Sequence, residues 1–247
     1  MKSYNQYCGL AKALDVVGDR WTLLIVRELL VRGPCRYTDL RHGLPGIATN
    51  LLVDRLRDLE AFGVVAREEA APPIATALFS LTQWGSELKP IILALGKWSA
   101  PLMTRSPRSR DAFMSYWLAL PLESQLTDRS PGRRSITIAL RVGGDPLVIE
   151  TEGGGVRVRP GSVAEPDVVL EGPPDVAFGL LIGQMDLAAA RARRLSVRGD
   201  PAVLDRVRPL IPVTPHVWPS SDRPPTHGAR ERGTPTAPSR STRSRPR

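Results

Sequence analysis

The sequence predicts an α+β protein in two units, and three observations carry that prediction. Residues 10–62 place apolar side chains at helical spacing, residues 136–158 alternate them at period two, and the polar, proline-containing stretch 105–110 separates the patterns. The 247 residues therefore divide into units of 1–104 and 111–212, a linker at 105–110, and a tail at 213–247. The tail is rich in Pro, Ser, Thr and Arg and nearly free of apolar residues, so it cannot bury enough surface to offset its ordering entropy and is expected to stay disordered.

Charge follows the same division. Of the net +9, residues 213–247 supply +5, while 1–104 and 105–212 carry +2 each. The folded part is thus close to neutral. A run of ~18 apolar residues, which a membrane span needs, is missing, and Asp15, Asp19 and Arg20 interrupt any signal-peptide core. Two cysteines, Cys8 and Cys35, are too few for a disulfide framework, which points to a reducing cytoplasm. The three histidines form no metal-ligand spacing, two of them lie in the tail, and no cofactor is expected. No Ser/His/Asp or paired-carboxylate constellation stands out, so the chain does not read as an enzyme.

Leu10, Ala13, Leu14 and Val17 predict a first helix over about 10–17, and Trp21, Leu24, Ile25 and Leu29 a second over 20–32 that Gly33-Pro34 ends. A short third helix spans 37–43. The turn Leu44-Pro45-Gly46 joins it to a fourth over 48–62, the spacing of a helix-turn-helix. In this fourth helix Leu52, Leu56 and Leu59 form the buried stripe, leaving Asn50, Asp54 and Arg57 on the opposite face beside Thr49 and Val53. Strands over 64–67 and 78–81, joined by a turn containing Pro72-Pro73, make a two-stranded ribbon, and a long helix over 83–103 follows. Helices followed by such a ribbon make a winged helix.

These residues resemble the HxlR-type winged-helix transcriptional regulators, relatives of the MarR group. The resemblance lies in Cys8, the run Gly18 to Leu29, the run Gly33 to Arg41, Leu44-Pro45-Gly46-Ile47, the Leu52/Leu56/Leu59-Glu60 register, Gly63-Val64-Val65, and Phe79-Ser80-Leu81-Thr82. It covers about 1–103. It implies a cytoplasmic homodimer, paired through its first and last helices, that places the fourth helix in the major groove of double-stranded DNA. Thr49 and Asn50, with Val53 beside them, would then face base edges, where Asn reads adenine bidentately, while Asp54 either accepts from cytosine N4 or faces solvent. Arg36, Arg41, Arg57 and Arg67 would meet phosphates. Arg57 alternatively pairs with Asp54 or Asp58 on a solvated face. Ala48 stands where a capping residue is usual, which costs ~0.5–2 kcal/mol or shifts the cap to Thr49. The wing, with Glu68 and Glu69 and no base from Glu68 to Thr76, predicts weak nonspecific affinity. In the long helix Leu88, Ile91, Ile92, Leu95 and Leu102 form a broad stripe, half of it for the local core and the rest for pairing. Some relatives sense oxidants through a cysteine at the place of Cys8. Here the alternatives are a redox-sensing thiol and a small half-buried hydrophobe.

In the second unit the pattern predicts a helix near 110–119, strands at 134–142, 146–152, 155–160 and 167–171, helices at 174–182 and 186–192, a strand at 194–198, and a last helix at 201–210. Gly143-Gly144-Asp145 offers a hairpin turn, a second run Gly153-Gly154-Gly155 precedes Val156 and Val158, and Gly199-Asp200-Pro201 leads into the final helix. The segments Pro166 to Gly172, Phe178 to Gly183, Asp186 to Ala190 and Leu195 to Pro201 resemble the sterol-carrier-protein-like fold over about 110–212. Where relatives often have Gly before the Leu-x-Val strand, this chain has Arg193-Arg194. The resemblance implies an apolar cavity for a small hydrophobic ligand. Phe178, Leu181, Ile182, Met185 and Leu187 either line that cavity or fill a solid core; periodicity serves both. The reading that follows is a DNA-binding regulator tuned by a hydrophobic ligand. Its rival is a lipid carrier whose winged helix binds a protein.

Overall fold

The computed structural model describes residues 3–70, 76–99 and 111–209. The linker 105–110, the turn at Pro72-Pro73, Leu102 and the tail 213–247 lie outside the described residues. In the N-terminal part, α1 (Gly9–Val17) follows Cys8, and α2 (Thr22–Arg32) follows Trp21, which adopts a left-handed φ of 81°. After α2 come β1 (Cys35–Arg36), α3 (Tyr37–Gly43) and α4 (Thr49–Ala61). The wing pairs β2 (Val65–Glu69) with β3 (Ala77–Leu81) in antiparallel register, Arg67 opposite Phe79. β1 adds a third strand on the other edge of β3, a pairing too short for period-two alternation to reveal.

The helix expected over 83–103 is divided. Thr82 accepts the Gly85 amide at 3.0 Å and caps a one-turn α5 (Gln83–Ser86), and α6 (Lys89–Ser99) then begins anew. Pro90 explains the restart: it has no N–H for a bond back to Ser86, and a first turn is where that loss is harmless. Leu52, Leu56 and Leu59 are buried as the stripe of α4 requires, against Ile25, Val26, Leu29, Leu40 and Val64. The stripe of α1 behaves differently: Leu10 is 69% exposed and Leu14 38%.

In the C-terminal part the expected helix over 110–119 gives way to a 3-10 turn at Ser115–Leu118, α7 (Ala119–Gln125) and β4 (Leu126–Asp128). Next come β5 (Thr137–Arg141), β6 (Leu147–Glu152), β7 (Gly155–Pro160) and β8 (Val168–Glu171). Then follow α8 (Pro174–Leu181), α9 (Leu187–Ala192), β9 (Ser196–Gly199), α10 (Val203–Arg206) and β10 (Val207–Pro209). The sheet order is β7-β6-β5-β8-β9, antiparallel except for the parallel central pair β5-β8. Register aligns Ile138 with Ile149 and Val168, and Leu140 with Leu147 and Leu170. These six side chains, each at most 1% exposed, share a core with Val176, Ala177 and Leu180 of α8. At roughly 1.5–3 kcal/mol per buried aliphatic side chain, this layer dominates the stability of the unit.

The last helix is shorter than the expected 201–210 because Val207–Pro209 pairs with β4 instead. Arg206 fixes that pairing with a fork on Asp128, Nε to Oδ1 at 2.6 Å and Nη2 to Oδ2 at 2.7 Å. Arg194 takes the position where a glycine would be free, at φ 68°. The described residues up to Pro209 belong to one packed unit, and Glu28 of α2 bonds Tyr116 and Trp117, so the winged helix and the α+β sheet domain are in direct contact.

Candidate nucleic-acid interface

A helix can enter a groove only if one face is held from behind and the other is bare. α4 meets both conditions. Its buried leucines anchor it, and Arg55 donates to Asp58 at 3.0 Å and also to Asp19 just before α2. Tyr37 of α3 donates its hydroxyl to the Thr49 carbonyl at 3.0 Å and sets the start of α4. Sequence reading missed both residues. The i, i+3 spacing of Arg55 and Asp58 was the available signal, whereas nothing local marks Tyr37.

The opposite face carries Thr49, Asn50, Val53, Asp54 and Arg57, all exposed. Val53, at 37%, is the apolar member. Ala48 remains the N-cap in extended conformation, and no side chain caps the helix, so the cap does not move to Thr49. The first amides of α4 are therefore left for an outside acceptor. Arg36 and Arg41, at the two ends of α3, are exposed and make no ion pair among the described residues. Arg36 uses its backbone N–H to bond Asp39 at 3.1 Å, leaving the guanidinium outside that cap.

Two of the expected phosphate contacts are engaged locally. Arg57 lies 3.6 Å from Asp54, the pairing considered from spacing, and Arg67 lies 3.0 Å from Glu69 on the wing. All four side chains are more than half exposed. Such surface pairs are worth about 0–1 kcal/mol, so exchange of the carboxylate for a phosphate costs little.

The two thiols diverge. Cys8 is exposed, and the amides of Ala11 and Leu10 at the start of α1 hold its pKa below the ordinary value. Cys35 is buried, and burial pushes its thiol up to about 11 despite Arg32 nearby.

Of the five residues expected around a ligand, Leu181 and Ile182 are buried in the C-terminal core, while Phe178, Met185 and Leu187 are half-buried against it. Met185 folds back onto α8 so closely that a Cβ on Gly179 would lie 2.7 Å from its Cε. The structure thus brings these residues together as packed side chains.

A second apolar feature lies on the N-terminal unit. A groove of about 320 Å³ runs between α2 and α6, lined by Leu23, Leu24, Ile92, Leu95, Trp98 and Arg27. Leu24, Ile91, Leu95 and Trp98 are 40–72% exposed around it. Among the described residues no group of three or more metal-ligating side chains gathers, and no helix is long and apolar enough to cross a membrane.

Comparison with known proteins matches residues 16–107 to the HxlR-like helix-turn-helix family and residues 125–212 to the SCP-2 sterol transfer family. The HTH-type transcriptional regulator YvaP of Bacillus subtilis is 36% identical over 88 residues, 36% of this chain and 81% of that protein. YkvN of the same organism, also an HTH-type transcriptional regulator, is 35% identical over 100 residues, covering 40% of this chain and 80% of its own. Among solved structures, a putative transcriptional regulator of the MarR family from Porphyromonas gingivalis W83 aligns with 27% identity and a TM-score of 0.37, over 43% of this chain and all of that one.

Proposed function

From the premise that this chain belongs to the HxlR-like helix-turn-helix family and is an HTH-type transcriptional regulator, we propose that it binds double-stranded DNA as a cytoplasmic homodimer, with α4 in the major groove. The observation that carries this reading is the bare face of α4. Thr49, Asn50 and Val53 stand exposed on it, and the arginines at 36, 41, 57 and 67 are exposed as well. Asn50 offers a paired donor and acceptor to adenine, and Val53 offers apolar contact to a thymine methyl. The uncapped amides at the start of α4 favour a phosphate there, since they add to the positive end of the helix dipole.

Pairing is supported by where apolar surface remains uncovered. Among the described residues every exposed large hydrophobic side chain belongs to the N-terminal unit, and Leu10, Leu14, Leu24, Ile91, Leu95 and Trp98 lie on α1, α2 and α6. A second copy seated on these helices removes that surface from water and sets two α4 helices on successive major grooves, about 34–36 Å apart. The C-terminal SCP-2 domain supplies the regulatory half of the proposal. A small hydrophobic ligand enters beside α8 and α9 by displacing Met185 and Phe178, and Leu181, Ile182 and Leu187 contact it. Cys8, exposed with a lowered pKa, is proposed as a thiol that reports oxidants.

The deciding experiment is a mobility shift on DNA from the gene's own upstream region across a salt series. Specific retardation is expected, with log K falling against log salt at a slope of up to roughly −7 if all eight arginines of a dimer reach phosphates. Failure to retard any native fragment in dilute buffer favours the rival reading, a lipid carrier whose winged helix binds a protein. Native mass spectrometry of the purified protein tests the ligand: a co-purified apolar molecule supports it, and only apo mass in lipid-supplemented preparations removes it.

A further inference from the structure

The winged helix and the C-terminal domain meet at a buried carboxylate. Glu28, in the middle of α2, is 0% exposed. Tyr116 donates its hydroxyl to Oε2 at 2.8 Å, and Trp117 donates Nε1–H to Oε1 at 2.8 Å. Arg27 completes the set, donating Nη2–H to Oε1 at 2.7 Å. Two of the donors therefore come from the 3-10 turn of the C-terminal domain, 88 and 89 residues along the chain. The rings are gripped as well: the Arg27 guanidinium lies 4.2 Å over Trp117, and that of Arg32 lies 5.2 Å over Tyr116.

The contact extends to the helix-turn-helix through Gly43, the last residue of α3. A Cβ there would fall 2.0 Å from Glu28 Oε2 and 2.8 Å from Tyr116 Oη, so a side chain at this position would expel the carboxylate or the phenol. The Gly43 carbonyl also accepts from Arg27 Nη2 at 3.4 Å. From Gly43 only five residues, Leu44 to Ala48, separate this cluster from the first residue of α4. On the other side Tyr116 belongs to the C-terminal hydrophobic core. Arg27 Nε also donates to Oε1 at 3.1 Å, and a buried carboxylate that loses a donor keeps its desolvation penalty, so removing any of the three donor residues is costly.

We propose that Glu28 is a positioning residue that locks the end of α3 to the C-terminal domain, so that a rearrangement of the C-terminal core around Tyr116 is delivered to the start of α4. Arg27 widens the route, since it also lines the apolar groove between α2 and α6. The effect on DNA rests on the DNA-binding reading above; the lock itself does not.

Hydrogen exchange on the full-length protein tests the lock without DNA. Tyr116→Phe keeps the ring in the core and removes the hydroxyl, and Trp117→Phe removes the indole N–H. Both leave every residue of the winged helix in place. In each variant the amides of 40–52 are expected to exchange about tenfold faster, with β5 and β6 unchanged. Glu28→Gln is expected to do more, and if it fails to fold the two aromatic variants decide alone. Faster exchange confined to 111–118 overturns the proposal. So does an equal rise across β5 and β6, because the cluster would then be an ordinary structural anchor. If exchange responds as expected while the wild type binds no DNA, the positioning role stands and the DNA reading falls. If DNA is bound and exchange at 40–52 does not respond, the reverse holds.

Discussion

Arg194 shows what a single backbone angle costs. It sits at φ 68°, exposed, directly before buried Leu195 and the strand β9. A left-handed conformation costs a residue with a Cβ roughly 1–2 kcal/mol, a penalty that glycine avoids while adding entropy to the unfolded chain. Arg194→Gly is therefore expected to stabilise the protein by about 0.5–1 kcal/mol, read as a higher urea midpoint with unchanged slope. Chemistry at the two thiols divides along the same local lines. Thiolate is the reactive form, and at neutral pH the buried Cys35, with its pKa near 11, holds almost none. Iodoacetamide should label Cys8 in the native protein and spare Cys35, as peptide mass mapping would show. The sensor reading of Cys8 survives only if Cys8→Ser also abolishes an oxidant response of DNA binding.

At the level of elements, the proposed recognition is divided between α4 and the wing. Substituting Asn50 with Ala is expected to relax sequence preference while leaving affinity for random DNA intact. Arg67→Ala on β2 should weaken all sequences alike, about threefold, and make the salt slope shallower by about one per arginine lost. Binding titrations on specific and scrambled duplexes separate the two. Ala48→Ser adds the missing cap of α4 and should raise stability by ~1 kcal/mol. Helix positions in this region were legible from sequence because the leucines at 52, 56 and 59 bury one face, as the 3.6-residue period requires. The C-terminal strands were legible for a similar reason, their alternation bounded by glycine turns. What escaped was set by distant partners. Where a helix was expected near 110–119, Tyr116 and Trp117 lie on a 3-10 turn and bond Glu28, and the last helix lost its end to a pairing with β4. Of the candidate interface, the exposed face of α4 could be read from its period, whereas Arg55 and Tyr37 act across the fold and left little local trace.

For the molecule as a whole, two bulk properties follow. The uncovered apolar residues of α1, α2 and α6 predict a dimer, and Leu95→Glu should convert it to monomer in sedimentation velocity while leaving its circular dichroism unchanged. Stability should fall on acidification. The Arg206 guanidinium holds the Asp128 carboxyl below its usual pKa against the opposing effect of burial. Arg134 does the same for Asp167, and the Tyr4 amide with the Ser3 hydroxyl for Asp15. A carboxyl depressed in the folded state contributes its full stabilisation above its unfolded pKa, near 3.9, and loses it as pH falls through the folded value. Urea midpoints should thus hold steady above about pH 5 and decline below about pH 4, with a shallower decline in Asp128→Asn. The Glu28 cluster bears on engineering. Its donors sit beside Phe113, whose ring meets Trp117 edge-on at 6.5 Å, so the segment from Phe113 to Trp117 packs with the winged helix as much as with the domain it precedes. A chimera that transplants this winged helix onto a different effector module must carry that segment across the splice, or it will strand a naked acid in a hydrophobic seam.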